Sequence, residues 1–353
     1  MRNDLQKLDT VGDSLTRLDS QYPAYARKRL ELMEVGSSSF LVLEFLSPDV
    51  ERRRLTAMIA AIARVADSNT AGVGFEKRDD VYDIRFVAAG LRWRWDGDRA
   101  ELSAIRPDAN ALVDWLISRS SCANAPGQGS EREACTLLAY AWSLGMQEDF
   151  VLMAGQGSAA LPAREVVAEA MLVSFPSGWS PETKLGQSLS RIHRPVADGQ
   201  ALRRASSSLS QAMLEKGPFV RHVWTLSNSP HLSQHPRPSQ RPLSSQRPLP
   251  SRHRLLSQQR LSPTVRKATD QEPGAADPMG HIWFRCERQT TIPLAEHHRA
   301  VFLIRLYLVP LAQAAHDEER RAALVSALRS MSDEVIRYKN LGDIRKQVLA
   351  AWG

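Results

Sequence analysis

His193 is the side chain whose position suggests chemistry most directly. It follows the stretch 181–192, which has a helix-forming composition, and it precedes Pro195 by two residues. A histidine at a helix end and close to a proline has restricted conformational freedom. The charges of Arg191 and Arg194 favour the neutral imidazole, which binds metals, although a helix C-terminus favours protonation. We therefore expect His193 to be a metal ligand, and the alternative is a structural histidine bonded to backbone.

Three arginines, Arg285, Arg288 and Arg305, stand in apolar stretches near the C-terminus. An unpaired charge is costly in such a setting, and a paired charge usually has a purpose. Guanidinium groups bind carboxylates through two parallel hydrogen bonds. We therefore expect these arginines to bind carboxylates of a ligand, with an internal ion pair to Glu287 or another acidic residue as the structural alternative. Glu287 is also a candidate proton donor or acceptor.

Several functional classes have no support in the sequence. There is no P-loop, no dinucleotide-binding glycine fingerprint, and no HExxH or GxSxG motif. The three cysteines, Cys122, Cys135 and Cys286, form neither an even set nor a CxxC pair, so we expect reduced thiols and no zinc site. The polar N-terminus and the lack of an apolar run of about 18 residues predict a cytoplasmic protein without a membrane span.

The net charge of +7 comes from one segment. Between Ser229 and Ala268 there are eight Lys or Arg residues and no Asp or Glu, so the rest of the chain is close to neutral. The surrounding stretch 230–278 repeats Ser-Gln-Arg-Pro-Leu and contains no aromatic residue that could stack on a base. We predict a disordered insertion here and do not expect nucleic acid as a partner. Contact with nucleic acid or an acidic partner through charge alone is the alternative.

Hydrophobic spacing predicts an α+β fold rather than regular βαβ winding. Asp96-Gly97 between two alternating runs predicts a hairpin, and Trp93 and Trp95 share one strand face, which is either buried or a cofactor platform. The predicted strands are 40–46, 81–87, 91–95, 101–105, 150–153, 166–173, 220–226, 281–286 and 300–309. The predicted helices are 25–35, 48–65, 107–117, 131–146, 181–192, 200–216, 318–331 and 333–352.

The run from Phe175 to Val196 resembles the pattern FPSxWxxxxKxGxxLxxIHxPVP of the alpha subunits of haem-dependent oxidative N-demethylases. It departs from that pattern only at the last position, where Ala197 replaces proline. Further stretches are similar to other motifs of this family: Gln147-Glu148-Asp149, Arg285-x-Glu287-Arg288-Gln289-Thr290, Phe302-x-Ile304-Arg305-x-Tyr307, Tyr338-Lys339 and Leu349-x-x-Trp352.

The resemblance implies a PAS-like haem-binding fold, with a mixed or antiparallel sheet and flanking helices, in which residues 1–229 and 279–353 form one domain. It implies haem b as the cofactor, with His193 as the axial iron ligand and Arg285, Arg288 and Arg305 as partners of the propionates. The implied reaction is removal of a methyl group from a small secondary amine, releasing formaldehyde, with Glu287 placing a proton near bound oxygen. Electrons would come from NADPH through separate reductase subunits that carry FMN and an iron–sulfur centre.

Three further positions depart from the family's motifs. Its tryptophan-arginine-x-asparagine-tryptophan strand is reduced here to Trp224-Thr225-Leu226-Ser227-Asn228, and both threonines of its FTIRTY motif are leucines, Leu303 and Leu306. A fold can survive such changes when catalysis does not. The alternative to an enzyme is therefore a haem-binding sensor or a catalytically inactive scaffold of the same fold.

Overall fold

The computed structural model describes residues 6–7, 15–34, 42–43, 47–68, 72–123, 130–156, 165–194, 200, 204–234 and 279–353. Residues 235–278, most of the predicted insertion, lie outside these ranges. Within the described ranges, no helix is both long enough and apolar enough to cross a membrane.

The strands form two sheets in which all neighbouring strands are antiparallel. The strands are β1 (Gln6–Lys7), β2 (Val42–Leu43), β3 (Val73–Arg78), β4 (Val81–Phe86), β5 (Leu91–Trp95), β6 (Ala100–Ala104), β7 (Asp149–Gly155), β8 (Val166–Leu172), β9 (Phe219–Ser227), β10 (Trp283–Leu294) and β11 (Arg299–Pro310). The main sheet has the order β1-β9-β10-β11-β7-β8-β2, and the second sheet has the order β3-β4-β5-β6.

Helices cover both faces of the main sheet, so the α+β class is confirmed. The helices are α1 (Tyr22–Glu34), α2 (Pro48–Asp67), α3 (Asn110–Ala123), α4 (Ser130–Gly145), α5 (Leu189–Ile192), α6 (Ser206–Glu215), α7 (Leu311–Ala314), α8 (Glu318–Ser330), α9 (Asp333–Tyr338) and α10 (Gly342–Trp352). Short 3-10 turns occupy Pro107–Ala109, Pro181–Thr183 and Ala295–His297. That the fold is PAS-like remains a prediction.

The apolar core has three large parts. Residues of α2, α4 and the second sheet pack together with β7 and with the β10–β11 hairpin end of the main sheet. The last three helices cover Trp224 and Leu226 at the other end of the main sheet. On the opposite face, α5 and α6 pack over β7 and β8. Helix α5, which ends next to His193, thus lies on one face of the main sheet.

The predicted Asp96-Gly97 hairpin is confirmed, because these residues join β5 and β6, and Gly97 has a φ of 102°. Such a positive φ is accessible to glycine without steric cost. Trp93 and Trp95 are both buried. Their strand face therefore belongs to the core, which confirms the first of the two interpretations, a buried face. Strand β3 was not predicted, because its glycine and charged residues do not form a regular apolar alternation.

Two predicted helices are wrong in extent. The stretch 181–192 is not one helix but a 3-10 turn followed by α5, and Gly186 between them has a φ of 70°. The stretch 333–352 is divided into α9 and α10 at Asn340, whose φ is 54°. A residue in the left-handed region ends a helix because its carbonyl leaves the helical direction.

The predicted strand 281–286 is too short. β10 continues to Leu294 and pairs with β11 along its whole length, from Trp283 opposite Pro310 to Leu294 opposite Arg299. Polar residues such as Arg288 and Gln289 interrupt the apolar pattern of β10, although they are buried in the folded chain. A strand that carries polar side chains inside the protein is not recognisable from hydrophobic spacing.

Arg29 of α1 is a buried cation with five hydrogen bonds to protein acceptors. Its side chain is fully buried and forms an ion pair of 2.9 Å with Asp149, the first residue of β7. The same guanidinium donates hydrogen bonds to other groups around the α4–β7 junction: Ser143 O at 2.6 Å, Gln147 O at 2.9 Å, Ser174 Oγ at 3.2 Å, and Met146 O. These contacts fasten α1 to the main sheet.

The residues just before β7 hold the segment that precedes α1. Gln147 exchanges two hydrogen bonds with Asp19, through its Oε1 at 2.7 Å and its Nε2 at 3.1 Å. The carboxylate of Glu148 accepts a bond of 2.8 Å from the backbone N–H of Arg17. Burial raises the pKa of Glu148. The Gln147-Glu148-Asp149 motif is therefore a structural junction.

Replacing Arg29 with methionine should leave the Asp149 carboxylate buried without its cation. Loss of one partner of a buried ion pair costs about 3–5 kcal/mol, so Arg29→Met should lower the free energy of unfolding by about that amount in urea titrations. Lys28→Met on the same helix removes only an exposed ion pair with Glu31 and should change stability by less than about 0.5 kcal/mol. Equal effects of the two changes would contradict this assignment.

Candidate functional site

Strand register places the three predicted arginines on two faces of the main sheet. Arg288 and Arg305 lie directly opposite each other on β10 and β11 and therefore share a face. Arg285 and Glu287 alternate with Arg288 along β10 and point to the other face. The three arginines consequently do not form one cluster, and any ligand on one face meets only part of the set.

Arg285 is buried and donates to protein acceptors through all three of its nitrogens. Nε bonds Ser177 Oγ at 2.8 Å, Nη1 bonds Leu232 O at 2.8 Å, and Nη2 bonds Phe175 O at 2.9 Å. Burial lowers the pKa of Arg285, and the charge of Glu287 opposes that shift. Arg285 thus joins β10 to the loop 175–177 and to the chain leaving β9.

Arg305 and Arg288 hold the N-terminal segment on the opposite face. Arg305 Nη2 bonds Asp19 Oδ2 at 2.7 Å, and its guanidinium lies 4.5 Å and 4.9 Å from the ring centroids of Tyr25 and Tyr307. Arg288 donates at 3.1 Å to the carbonyl oxygen of Leu15, and at the same distance to Thr290 Oγ1. Both side chains contact the protein's own groups.

Glu287 lies at the centre of a hydrogen-bonded chain. Its Oε1 accepts from the hydroxyl of Ser177, and its Oε2 accepts from Gln289 Nε2 at 2.9 Å. Gln289 Oε1 in turn accepts from Arg221 Nε at 2.7 Å. Together with the Arg285–Ser177 bond, this chain joins Arg285, Ser177, Glu287, Gln289 and Arg221 on one face of the sheet. The carboxylate is held in place from both sides.

His193 is the residue that ends α5, and it is partly buried. Its Nδ1 lies 2.8 Å from the carbonyl oxygen of Leu189. Because a carbonyl oxygen only accepts, Nδ1 carries the proton and the lone pair of Nε2 is left for another partner. Burial lowers the pKa of His193, and the charges of Arg221 and Lys184 lower it further, whereas the Leu189 bond opposes the shift. The lowered pKa favours the neutral imidazole.

The two interpretations of His193 do not exclude each other. Bonded through Nδ1 to backbone, the ring is a structural histidine, yet the same bond orients Nε2 as metal-binding histidines are oriented. A neutral imidazole with a fixed tautomer is the form of histidine that binds a metal. No group of three or more His, Cys, Asp or Glu side chains converges as a metal site within the described ranges.

Four basic or phenolic residues near this chain were not among the predicted site residues. Lys184 Nζ bonds Ile192 O at 3.1 Å, and Lys339 Nζ bonds Trp224 O at 2.5 Å at the edge of β9. Burial raises the pKa of Tyr338, and the charge of Glu287 raises it further. Burial lowers the pKa of Lys339, and the charge of Glu287 opposes that shift. Lys184, Tyr338 and Lys339 occupy quoted motifs, so the sequence held a signal for them. Arg221 had none, because only strand pairing brings it to Gln289.

Comparison with known proteins gives one family. A family model described as haem-dependent oxidative N-demethylase, alpha subunit-like, matches residues 115–349, which is more than half of the chain. The matched region begins in α3, ends in α10 and includes His193, Arg221 and Glu287. None of the curated proteins compared with the chain matches it.

Arg285→Met should destabilise the protein even when no ligand is present. The change leaves Phe175 O, Leu232 O and Ser177 Oγ without their donor, and buried unsatisfied groups cost about 1–3 kcal/mol each. We expect the free energy of unfolding in urea to fall by about 3 kcal/mol. Arg78→Met on β3, where the side chain is 84% exposed, is the control and should change it by less than about 0.5 kcal/mol. An unchanged unfolding midpoint for Arg285→Met would show that this arginine serves a ligand instead.

Proposed function

The chain belongs to the haem-dependent oxidative N-demethylase alpha-subunit-like family, and on that premise we propose that it binds haem b and demethylates a small secondary amine. The bound haem would supply the iron at which oxygen is activated. The chain's own residues would hold the haem, orient the amine and manage protons. The observation that carries the proposal is the state of His193.

His193 is proposed as the axial ligand because three features favour that role. It lies in the family-like run 175–196, its Nδ1 is bonded to Leu189 O, and burial keeps the ring neutral. A hydrogen bond from the far ring nitrogen fixes the tautomer and raises the basicity of the ligating nitrogen. Iron coordination by Nε2 would then cost neither a deprotonation nor a change of tautomer.

Glu287 is proposed to hold a proton close to the reacting oxygen. Its contact with Ser177 would give the carboxylate a hydroxyl through which a proton can be passed, and Gln289 fixes the second oxygen. A general acid or base must lie within hydrogen-bond reach of the group it serves, so the Ser177 side of Glu287 is where the amine or oxygen would have to lie.

Binding of propionates by Arg285, Arg288 and Arg305 stays a proposal. Each of these guanidiniums contacts protein acceptors, so a propionate would have to replace a contact or share a donor. Strand register also divides them between two faces, and one haem could use only Arg285 or the pair Arg288 and Arg305.

The family description supports a proposal about partner subunits. An alpha subunit implies further subunits, and we propose that these carry FMN and an iron–sulfur centre and deliver electrons from NADPH. A PAS-like fold and a cytoplasmic location belong to the same proposal.

A haem-binding sensor or an inactive scaffold is the second candidate, and one observation favours it. Both oxygens of Glu287 are occupied by side chains, and Leu306 stands directly opposite Glu287 on β11. Leucine at that place adds an apolar neighbour and no donor. A carboxylate fixed in this manner is suited to holding structure as well as to moving protons.

His193→Ala should abolish or shift the Soret band of the protein reconstituted with haem, and change the low-temperature electron paramagnetic resonance signal of the ferric form, because the axial nitrogen is lost. His281→Ala is the matched control, since His281 is exposed and bonds Gln347. It should leave both spectra unchanged. Identical spectra for wild type and His193→Ala would place the iron ligand elsewhere.

The enzyme and the two alternatives differ in their turnover. Haem-loaded protein, supplied with a flavin and iron–sulfur reductase, should oxidise NADPH in an amine-dependent manner and release formaldehyde if it is an enzyme. A Soret band without amine-dependent oxidation would identify the sensor. Failure to bind haem, even when haem is supplied during expression, would leave the scaffold.

A further inference from the structure

We propose that Arg221 binds a carboxylate of the same ligand that His193 coordinates, which under the proposed function is a haem propionate. The inference rests on that function, because it names the ligand's carboxylate as a propionate. Arg221 is not among the residues that the sequence marked, and it lies on the face of the main sheet that carries Glu287 and Arg285.

The first reason is that the guanidinium of Arg221 is largely uncommitted. Its Nε donates to Gln289 Oε1 at 2.7 Å. Within the described part of the chain, its two terminal nitrogens have no hydrogen bond, and no carboxylate forms an ion pair with it. Gln289 thus holds the guanidinium through Nε and leaves Nη1 and Nη2, which could donate to the two oxygens of a carboxylate.

The second reason is the charge balance around Arg221. Burial lowers the pKa of Arg221, and Glu287 is the only charge that opposes the shift. Glu287 has its own oxygens bonded to Ser177 and Gln289. Arg221 is half-buried, and a ligand carboxylate would pair with its guanidinium as the bound ligand excludes water from it.

Three buried arginines of this chain differ in this respect. Arg29 is paired with Asp149 and Arg305 with Asp19, while Arg285 uses all three nitrogens on protein acceptors. The terminal guanidinium nitrogens of all three have partners, although Nε of Arg305 has none within the described ranges. Arg221 is half-buried, and both of its terminal nitrogens lack a partner among the described residues.

The third reason is that Arg221 and His193 lie on the same face of the main sheet. Helix α5, which His193 follows, packs in one apolar cluster with Phe302 of β11, on the face that carries Glu287 and Gln289. Arg221 stands opposite Gln289 on that face, so a ligand held by His193 could reach its guanidinium. Porphyrins carry their carboxylates along one edge, so a single haem can engage a metal-binding histidine and a separate guanidinium.

Two ligands distinguish the contact of His193 with iron from the contact of Arg221 with a propionate. They are haem and iron protoporphyrin dimethyl ester, which lacks the propionate charges. We would measure dissociation constants for both from the quenching of tryptophan fluorescence. Wild type should bind haem more tightly than the ester. Arg221→Gln should weaken haem binding about 10–100-fold, the range expected for a lost charge-assisted hydrogen bond, and should change ester binding less than about 3-fold.

Two further variants control for folding and charge. Arg221→Lys keeps the cation and should retain part of the preference for haem over the ester, and Arg78→Gln should bind both ligands as wild type does. Urea unfolding of ligand-free Arg221→Gln should show a loss of no more than about 1 kcal/mol, because only the hydrogen bond to Gln289 is removed within the described ranges.

The outcomes distinguish this inference from the proposed function. Wild type that binds haem and ester equally, or Arg221→Gln that weakens both equally or neither, would overturn the role of Arg221 and leave haem binding intact. Wild type that binds neither ligand would overturn the proposed function and this inference together.

Discussion

The buried ion pair between Arg29 and Asp149 is the constraint that positions the candidate site. While one oxygen of Asp149 faces Arg29, the other accepts a bond of 2.9 Å from the backbone N–H of Phe175. That bond fixes the start of the loop that carries Ser177. Ser177 then meets both Arg285 and Glu287. The side chains of Arg29 and Asp149 are only 0% and 2% exposed. This buried ion pair thus orders the loop, and the loop positions the carboxylate of Glu287.

Much of the family-like sequence is consequently structural. Gln147, Glu148 and Asp149 receive the N-terminal segment, and Arg285 and Arg305 fasten neighbouring loops. The two leucines that replace threonine are also core residues. Leu303 is fully buried in the part of the core formed by α2, α4 and the second sheet. Leu306 packs with Tyr25 and Phe175. Many of the family-like residues therefore bear the fold, whereas the proposed activity would depend on the groups around His193 and Glu287.

Sequence reasoning was sufficient for local features and insufficient for long-range ones. The Asp96-Gly97 hairpin, α2 and the place of His193 at a helix end follow from neighbours in sequence. The division of the arginines between two sheet faces depends on the register of β10 against β11, which no local pattern encodes. Arg221 escaped notice for the same reason, because Gln289, its hydrogen-bond partner, is far along the chain and belongs to another strand.

The most direct measurement is a crystal structure of the protein reconstituted with ferric haem. The account predicts that Nε2 of His193 coordinates the iron and that the haem lies on the face of the main sheet that carries Glu287. Iron coordinated by another side chain, or a haem on the opposite face beside Arg288 and Arg305, would contradict it.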